Sequence, residues 1–266
     1  MNAAEPMQSF TSITAVVGSI ALTLPRIAAA FLVLPLLSGK TIPPLVRNSF
    51  LVSLAVMIYP VAAAAPAVGP LTALALPLIV VKEVLIGAGL GFLFSSIFWA
   101  VSAAGNLIDT KAGSNFGAAM DPVQGQETSL TGLLLSQLTA WLFMASGAFT
   151  LFLDLLMSSY SQWPVARMLP PLPASGQNVM IEEFSSLFTT ALLLAAPALV
   201  VLSLIDLSLG LINRYAQQLN VFTFAFPIKA WVATWIVLLS LGTFTAVIMH
   251  RLFENRGLLH VLHRVL

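Results

Sequence analysis

Apolar residues in this chain run in long blocks, not in alternation. Six blocks stand out: Thr11–Leu37, Ser49–Ala65, Leu78–Ala104, Leu130–Met157, Phe184–Ile212 and Ile228–Met249. Most reach or exceed the roughly 20 residues that a helix needs to cross a bilayer, Ser49–Ala65 being the marginal one. None shows the period-2 alternation of a transmembrane barrel strand. Backbone polar groups in lipid must be satisfied within the segment, so the pattern predicts an all-α integral membrane protein of about six apolar helical segments in a single membrane domain, residues 1–266.

Between the blocks lie polar or proline-rich connections. Ser38–Asn48 holds Lys40, Arg47 and a Pro43-Pro44 pair that reads as a stop, and Ala65–Pro77 is rich in Pro, Ala and Gly. Gly105–Ser129 is the longest polar, glycine-rich interruption, and reads as a flexible loop. Ser158–Glu183 carries Tyr160 and Trp163, residues suited to a membrane interface. Asn213–Pro227 reads as a mixed polar and aromatic turn.

Composition strengthens the membrane reading. The chain is 59% hydrophobic and only 8% charged, with a mean hydropathy of +0.97. Soluble domains carry about 25% charged residues. Cysteine is absent, so disulfides and thiolate metal sites are excluded. A net charge of +1 points away from a nucleic-acid partner. Residues 1–10 lack the positive region of a cleaved signal peptide, so the first block is expected to act as an uncleaved anchor.

The few charges carry the remaining information. Arg26 sits near the middle of the first block, where an arginine costs about 2.5–3.5 kcal/mol on insertion scales. It is too deep to snorkel easily and is expected to face protein, a water-filled cavity or a partner subunit. Lys82 and Glu83 enter the third block side by side. Adjacent residues do not face each other on a helix, so the two are not a self-contained ion pair, and each is expected to find a partner elsewhere or to sit at an interface. Asp154 and Asp206 lie in apolar blocks, where an acid serves either a proton or ion relay or a structural pairing. Asp206 stands two turns before Arg214, too far for a direct pair along one helix. Gly87, Gly91 and Ser95 form a small-residue stripe suited to close helix packing, within the chain or against another subunit.

Orientation is not set by charge. Lys40, Arg47, Lys111, Arg214 and Lys229 fall on one side of the predicted topology, and Lys82, Arg167, Arg251, Arg256 and Arg264 on the other, a level count under the positive-inside rule. Pro25, Pro60 and Pro197 sit deep in their blocks and suggest interrupted helices, which are tolerated only inside protein or along a cavity. The chain therefore reads as part of a larger membrane assembly. Catalytic signatures are missing: there is no H-E-x-x-H, no phosphate-binding glycine loop, and His250, His260 and His263 all lie at the C-terminal end. The expectation is a non-enzyme with no cofactor and no metal. A small-solute transporter or channel is the alternative class, but no internal repeat supports it.

Two motifs carry a family resemblance. One is Gly105–Gly132, GNLIDTKAGSNFGAAMDPVQGQETSLTG; the other is Asp206–Lys229, DLSLGLINRYAQQLNVFTFAFPIK, preceded by Leu194–Pro197. Together they resemble the type III secretion export-apparatus family that contains the flagellar protein FliR and the injectisome subunit called SctT, YscT, EscT or HrcT. Ile108-Asp109 with Gly113, and Asp121-Pro122 followed by Gly125-Gln126, are similar to the injectisome branch rather than the flagellar one.

The resemblance implies a role. Members are structural and gating subunits of bent helical hairpins, packed into a helical export-gate core beside several copies of two smaller relatives. The core conducts unfolded proteins through the bacterial inner membrane and is raised toward the periplasm. Residues 1–183 would form the N-terminal hairpin part around the central loop 105–129. Residues 184–266 resemble the smallest core subunit, followed by a basic tail. By the family's pattern the loop plugs the pore, with Gly113, Asn115, Phe116, Gly117 and Met120 in the plug. Arg26, Lys82, Glu83, Asp109, Lys111, Asp206 and Arg214 would be buried polar or inter-subunit residues. Asn220, Phe222 and Pro227 would sit in the last hairpin turn, facing a switch-type export-gate subunit. Membrane lipid completes the implied surroundings.

Overall fold

The computed structural model describes residues 4–37, 42–63, 75–113, 129–165, 174–215 and 221–265. These residues contain no strand. The helices are α1 (Ala4–Val33), α2 (Pro44–Ala63), α3 (Ala75–Ala112), α4 (Leu130–Ala145), α5 (Ala148–Gln162), α6 (Ala174–Tyr215) and α7 (Val221–Val265), with a 3-10 turn at Pro35–Leu37. Five are long and apolar enough to cross a membrane, six if α4 and α5 together make one span. The chain is an all-α membrane protein.

The long helices exceed a bilayer. α3, α6 and α7 have 38, 42 and 45 residues. At about 1.5 Å per residue each is more than ~55 Å long, against a hydrocarbon thickness of ~30 Å.

Several expected boundaries are corrected. Pro43-Pro44 does not stop a segment; Pro44 opens α2. Proline is at home at the first helical position, where its missing N–H would have had no partner. Pro25, Pro60 and Pro197 lie inside α1, α2 and α6 and do not interrupt them. The block Leu130–Met157 is the one that breaks, at Ser146-Gly147, where Gly147 takes φ +77° and the Ser146 N–H closes α4 onto the Leu142 carbonyl at 2.8 Å. Left-handed φ suits glycine because it has no Cβ. Gly105 to Ala112 are not loop but the last two turns of α3, because Ala104, Ile108 and Ala112 fall on one buried face. The connection expected at Ser158–Glu183 is shorter, since α5 reaches Gln162 and α6 starts at Ala174.

The chain divides into two compact units. One comprises Met1–Ser95, Phe149–Met180 and Asn255–Leu266; the other comprises Ser96–Ala148 and Ile181–Glu254. In the first, α1 packs on α2. Phe31 meets Phe50 and Phe152 edge to face at 5.6 and 5.2 Å, and Phe152 meets Phe94 at 5.4 Å. Such pairs add to area burial because ring edges and faces carry opposite charge. The small-residue stripe of α3 serves packing within the chain. A Cβ on Gly87 would lie 2.1 Å from the Arg26 carbonyl oxygen, and one on Gly91 would lie 2.5 Å from that of Ala30. In the second unit Phe98 stacks edge to face on Phe143 at 5.4 Å, and Gly105 meets Gly132 so closely that a Cβ on Gly105 would lie 2.4 Å from the Gly132 Cα.

The α1–α3 approach yields a test. Gly87→Ala has no flexible neighbour to displace, so the two helices must separate, at about 1–3 kcal/mol for overpacking. Gly18 of α1 has open space around it, so Gly18→Ala is expected to be neutral or slightly stabilising. Steady-state levels and melting in detergent should fall for the first variant and not for the second.

Candidate functional site

The strongest candidate lies at the foot of the 114–128 segment, in the second unit. α3 ends at Ala112, and Gly113 leaves the helix with φ +82°. Its N–H bonds the Thr110 carbonyl at 3.1 Å, a tightened last turn. On the far side of the segment Ser129 caps α4, its hydroxyl accepting the Gly132 N–H at 2.8 Å. That is the usual work of a serine N-cap, which satisfies one of the free N–H groups at a helix start.

Asp109 ties these two feet together. Its Oδ2 accepts from the Ser129 hydroxyl at 2.7 Å and from the Thr131 backbone N–H at 2.9 Å, while Oδ1 accepts from the Thr131 hydroxyl at 2.5 Å. The carboxylate is buried. It sits at the N-terminus of α4, where the helix dipole favours negative charge. Three donors and a dipole make up for the water it has lost. The clasp fixes where the intervening segment leaves α3 and where it rejoins α4.

A second node holds the same stem from another side. Asp206 of α6 pairs with Lys111 of α3 at 2.9 Å and with Lys229 of α7 at 3.0 Å. Lys229 also donates to the Lys111 carbonyl at 3.2 Å, one of the last carbonyls of α3 and free of a helical donor. The Phe226 ring lies 5.6 Å from the Lys229 ammonium.

The third polar cluster is in the first unit, around Arg26. Its guanidinium is fully buried and grips Glu83 through Nε at 2.7 Å and Nη2 at 3.0 Å. It also donates to the Ser159 hydroxyl at 3.0 Å and the Trp163 carbonyl at 2.8 Å, and it stacks 4.1 Å from the Tyr160 ring centre. Tyr160 is held in turn by donating to the Thr23 carbonyl at 2.7 Å. Lys82 and Glu83 each have a partner elsewhere, as their positions imply, but they also meet each other. The Lys82 ammonium lies 2.8 Å from the Glu83 carboxylate, besides donating to the Pro164 and Val165 carbonyls at 3.3 and 3.0 Å. The rule for adjacent residues concerns Cβ directions; a four-carbon stem lets the lysine head swing to a carboxylate already anchored by Arg26.

The other expected site residues are placed as follows. Asn115, Phe116, Gly117, Met120 and Asn220 lie outside the described residues. Arg214 is exposed in the last turn of α6, where a cation suits the helix C-terminus. Phe222 and Pro227 are not in a turn but in α7, which starts at Val221; a single proline costs a helix one N–H and need not end it. Ser129, Thr131, Gly132 and Ser159 escaped the sequence reading, Lys229 was noted only as a charge, and Tyr160, expected at a membrane interface, is instead fully buried against Arg26. Ser129 alone had a readable signal, a serine just before an apolar helical run. Among the described residues no group of three His, Asp or Glu could hold a metal ion.

Comparison with known proteins decides the family. The profile of "Bacterial export proteins, family 1" matches residues 17–255.

The chain belongs to this family.

Relatives agree along most of its length. It is 37% identical over 214 residues to the Yop proteins translocation protein T of Yersinia pestis, covering 80% of this chain and 82% of the relative. It is 30% identical over 258 residues to the surface presentation of antigens protein SpaR of Salmonella typhimurium, covering 92% and 95%. The flagellar biosynthetic protein FliR of Escherichia coli is 29% identical over 205 residues, covering 76% of each. The family spans injectisome and flagellar export, and the resemblance to the injectisome proteins is the stronger of the two. This bacterial export protein is thus a multi-pass membrane subunit of a type III secretion export apparatus.

Proposed function

We propose that this chain is a structural and gating subunit of the inner-membrane export pore, with the segment Gly113–Met120 as its plug. In this reading it joins several copies of two smaller core subunits and a switch-type export-gate subunit, and unfolded proteins pass through the conduit they build. Phe116 and Met120 face the lumen, and the core stands raised toward the periplasm. Arg214, exposed at the end of α6, binds a carboxylate of a neighbouring subunit.

One observation supports the plug above all. The buried Asp109 clasp fixes both feet of the 114–128 segment at one place, while Gly113 leaves the helix in a conformation that glycine adopts freely. A plug needs anchored ends, and a glycine at its base lets the chain turn there. A pore wide enough for a polypeptide must be sealed to ions when idle, and an apolar tip seals by dewetting. Phenylalanine supplies the bulk, and methionine adapts to an irregular wall. The length of α3, α6 and α7 supports a core that stands proud of the lipid.

The lumen assignment is tested by crosslinking. A photoreactive amino acid in place of Phe116 should crosslink to a secretion substrate stalled in the complex. The same group in place of the exposed Leu239 of α7 should not. Crosslinks from position 116 to lipid alone would remove it from the conduit.

A further inference from the structure

α5 is built in reverse for a helix that turns its outer face to lipid. Its inner face is apolar where it packs: Phe152, Leu155 and Leu156 are buried, and Tyr160 closes on Arg26. Its outer face carries Thr150, Asp154, Ser158 and Ser161, spaced four, four and three residues apart and so aligned along one side. Thr150, Asp154 and Ser161 face away from the rest of the chain, and Ser158 is half-buried. The outward positions of α7, by contrast, include Trp231, Trp235 and Leu239. We propose that the polar seam of α5 is where one helix of a neighbouring export-apparatus subunit docks, and that this helix brings a lysine or arginine to Asp154. The proposal rests on membership of the bacterial export family and not on the plug reading.

Charge complementarity carries it. α5 belongs to the bent α4–α5 pair, which together has the length and apolarity of a span. A carboxylate in such a segment is costly unless it is paired or turned to protein or a water-filled cavity. Among the described residues no side chain pairs with Asp154. The two buried cations of the same unit, Arg26 and Lys82, are both taken by Glu83. The hydroxyls of Thr150 and Ser158, one turn to either side, are also without a partner among the described residues, whereas the Ser161 hydroxyl donates to the Ser158 carbonyl at 2.7 Å. A negative charge flanked by two uncommitted hydroxyls suits an ammonium or guanidinium. Lysine has three N–H donors and arginine five, so one cation can engage the carboxylate and a flanking hydroxyl together.

The width of the seam favours a helix over a wet wall. It is a single line of residues, bordered by Leu151 on one side and by Leu153 and Met157 on the other, all three half-buried within this chain. Helices pack in membranes through just such contacts, in which a few polar side chains bond across an otherwise apolar interface. The wall of an aqueous conduit would be polar across its breadth. The apolar borders give a docking helix something to pack on, and the charge at the centre fixes which helix fits and in what register.

The test is made in the assembled complex. A photoreactive amino acid in place of Ser158, which leaves Asp154 untouched, should crosslink to another core subunit, and the crosslinked segment should contain a lysine or arginine. Adducts to lipid, or to a stalled secretion substrate, would overturn the docking. Asp154→Lys sets like charges against each other and should lower the amount of that subunit recovered per tagged chain about tenfold or more, whereas Asp154→Glu should recover it as wild type does. Exchanging the partner's lysine or arginine for glutamate should then restore recovery with Asp154→Lys, which a mere loss of folding would not allow. Wild-type recovery with Asp154→Lys would show that no cation meets Asp154, and the proposal would fall.

Discussion

Glu83→Gln is expected to prevent the chain from accumulating in the membrane. Glu83 is fully buried and accepts from both the Arg26 guanidinium and the Lys82 ammonium. Glutamine keeps the shape and one acceptor oxygen but removes the negative charge. Arg26, itself fully buried, would keep the glutamine oxygen, the Ser159 hydroxyl, the Trp163 carbonyl and the Tyr160 ring as partners, none of them carrying a negative charge. Removing one partner of a buried ion pair costs about 3–5 kcal/mol, because the remaining charge stays uncompensated. That is a large share of the roughly 5–15 kcal/mol by which a folded domain is stable. The same principle makes a second, opposite expectation. Arg26→Met, Lys82→Met and Glu83→Met together remove all three charges, and apolar residues of similar volume in place of a buried charge network are often neutral or stabilising. The triple variant should therefore accumulate better than Glu83→Gln alone. Membrane-fraction levels and melting of the detergent-solubilised protein check both. Glu83→Gln behaving as wild type would show that the network does not hold the first unit together.

How much of this was legible in the sequence depends on the kind of interaction. The apolar blocks set the fold class, because in lipid an uninterrupted apolar run of span length has one secondary structure open to it. Arg26 was marked as a residue in need of a partner, since depth and charge are both readable from one dimension. Its partner was not, because Glu83 lies 57 residues away and pairing at that range is set by how α1 docks on α3. Gly87 and Gly91 explain that docking, yet a small-residue stripe reads the same whether it packs within the chain or against a neighbour.

Boundaries failed where a local rule met a tertiary one. The polarity of Asn106, Asp109 and Lys111 made Gly105–Ser129 look like loop throughout. The four-residue spacing of Ala104, Ile108 and Ala112 was the helix signal, outweighed on paper by the polar residues between. The deep prolines drew attention as breaks, whereas Gly147, in a small-residue run next to Ser146, was the break. Glycine beside serine is a recognised site of helix interruption. The partners of Asp206 could not have been read from α6 alone, since Lys111 and Lys229 come from two other helices.

Under the proposed function, the segment between α3 and α4 seals an export pore. Its removal should leave assembly intact, because the clasp of Asp109 with Ser129 and Thr131 lies outside the deleted residues and still joins the two helices. What is lost is the apolar tip. A conduit wide enough for an unfolded chain also passes hydrated ions, so an unsealed one dissipates the proton motive force. The most direct measurement is the idle ion conductance of the assembled complex lacking Gly113–Met120, compared with wild type in the same bilayer. A rise on the order of tenfold or more, with arrest of growth on expression in cells, is the predicted result. An assembled, plug-deleted complex that stays as tight to ions as wild type would contradict it.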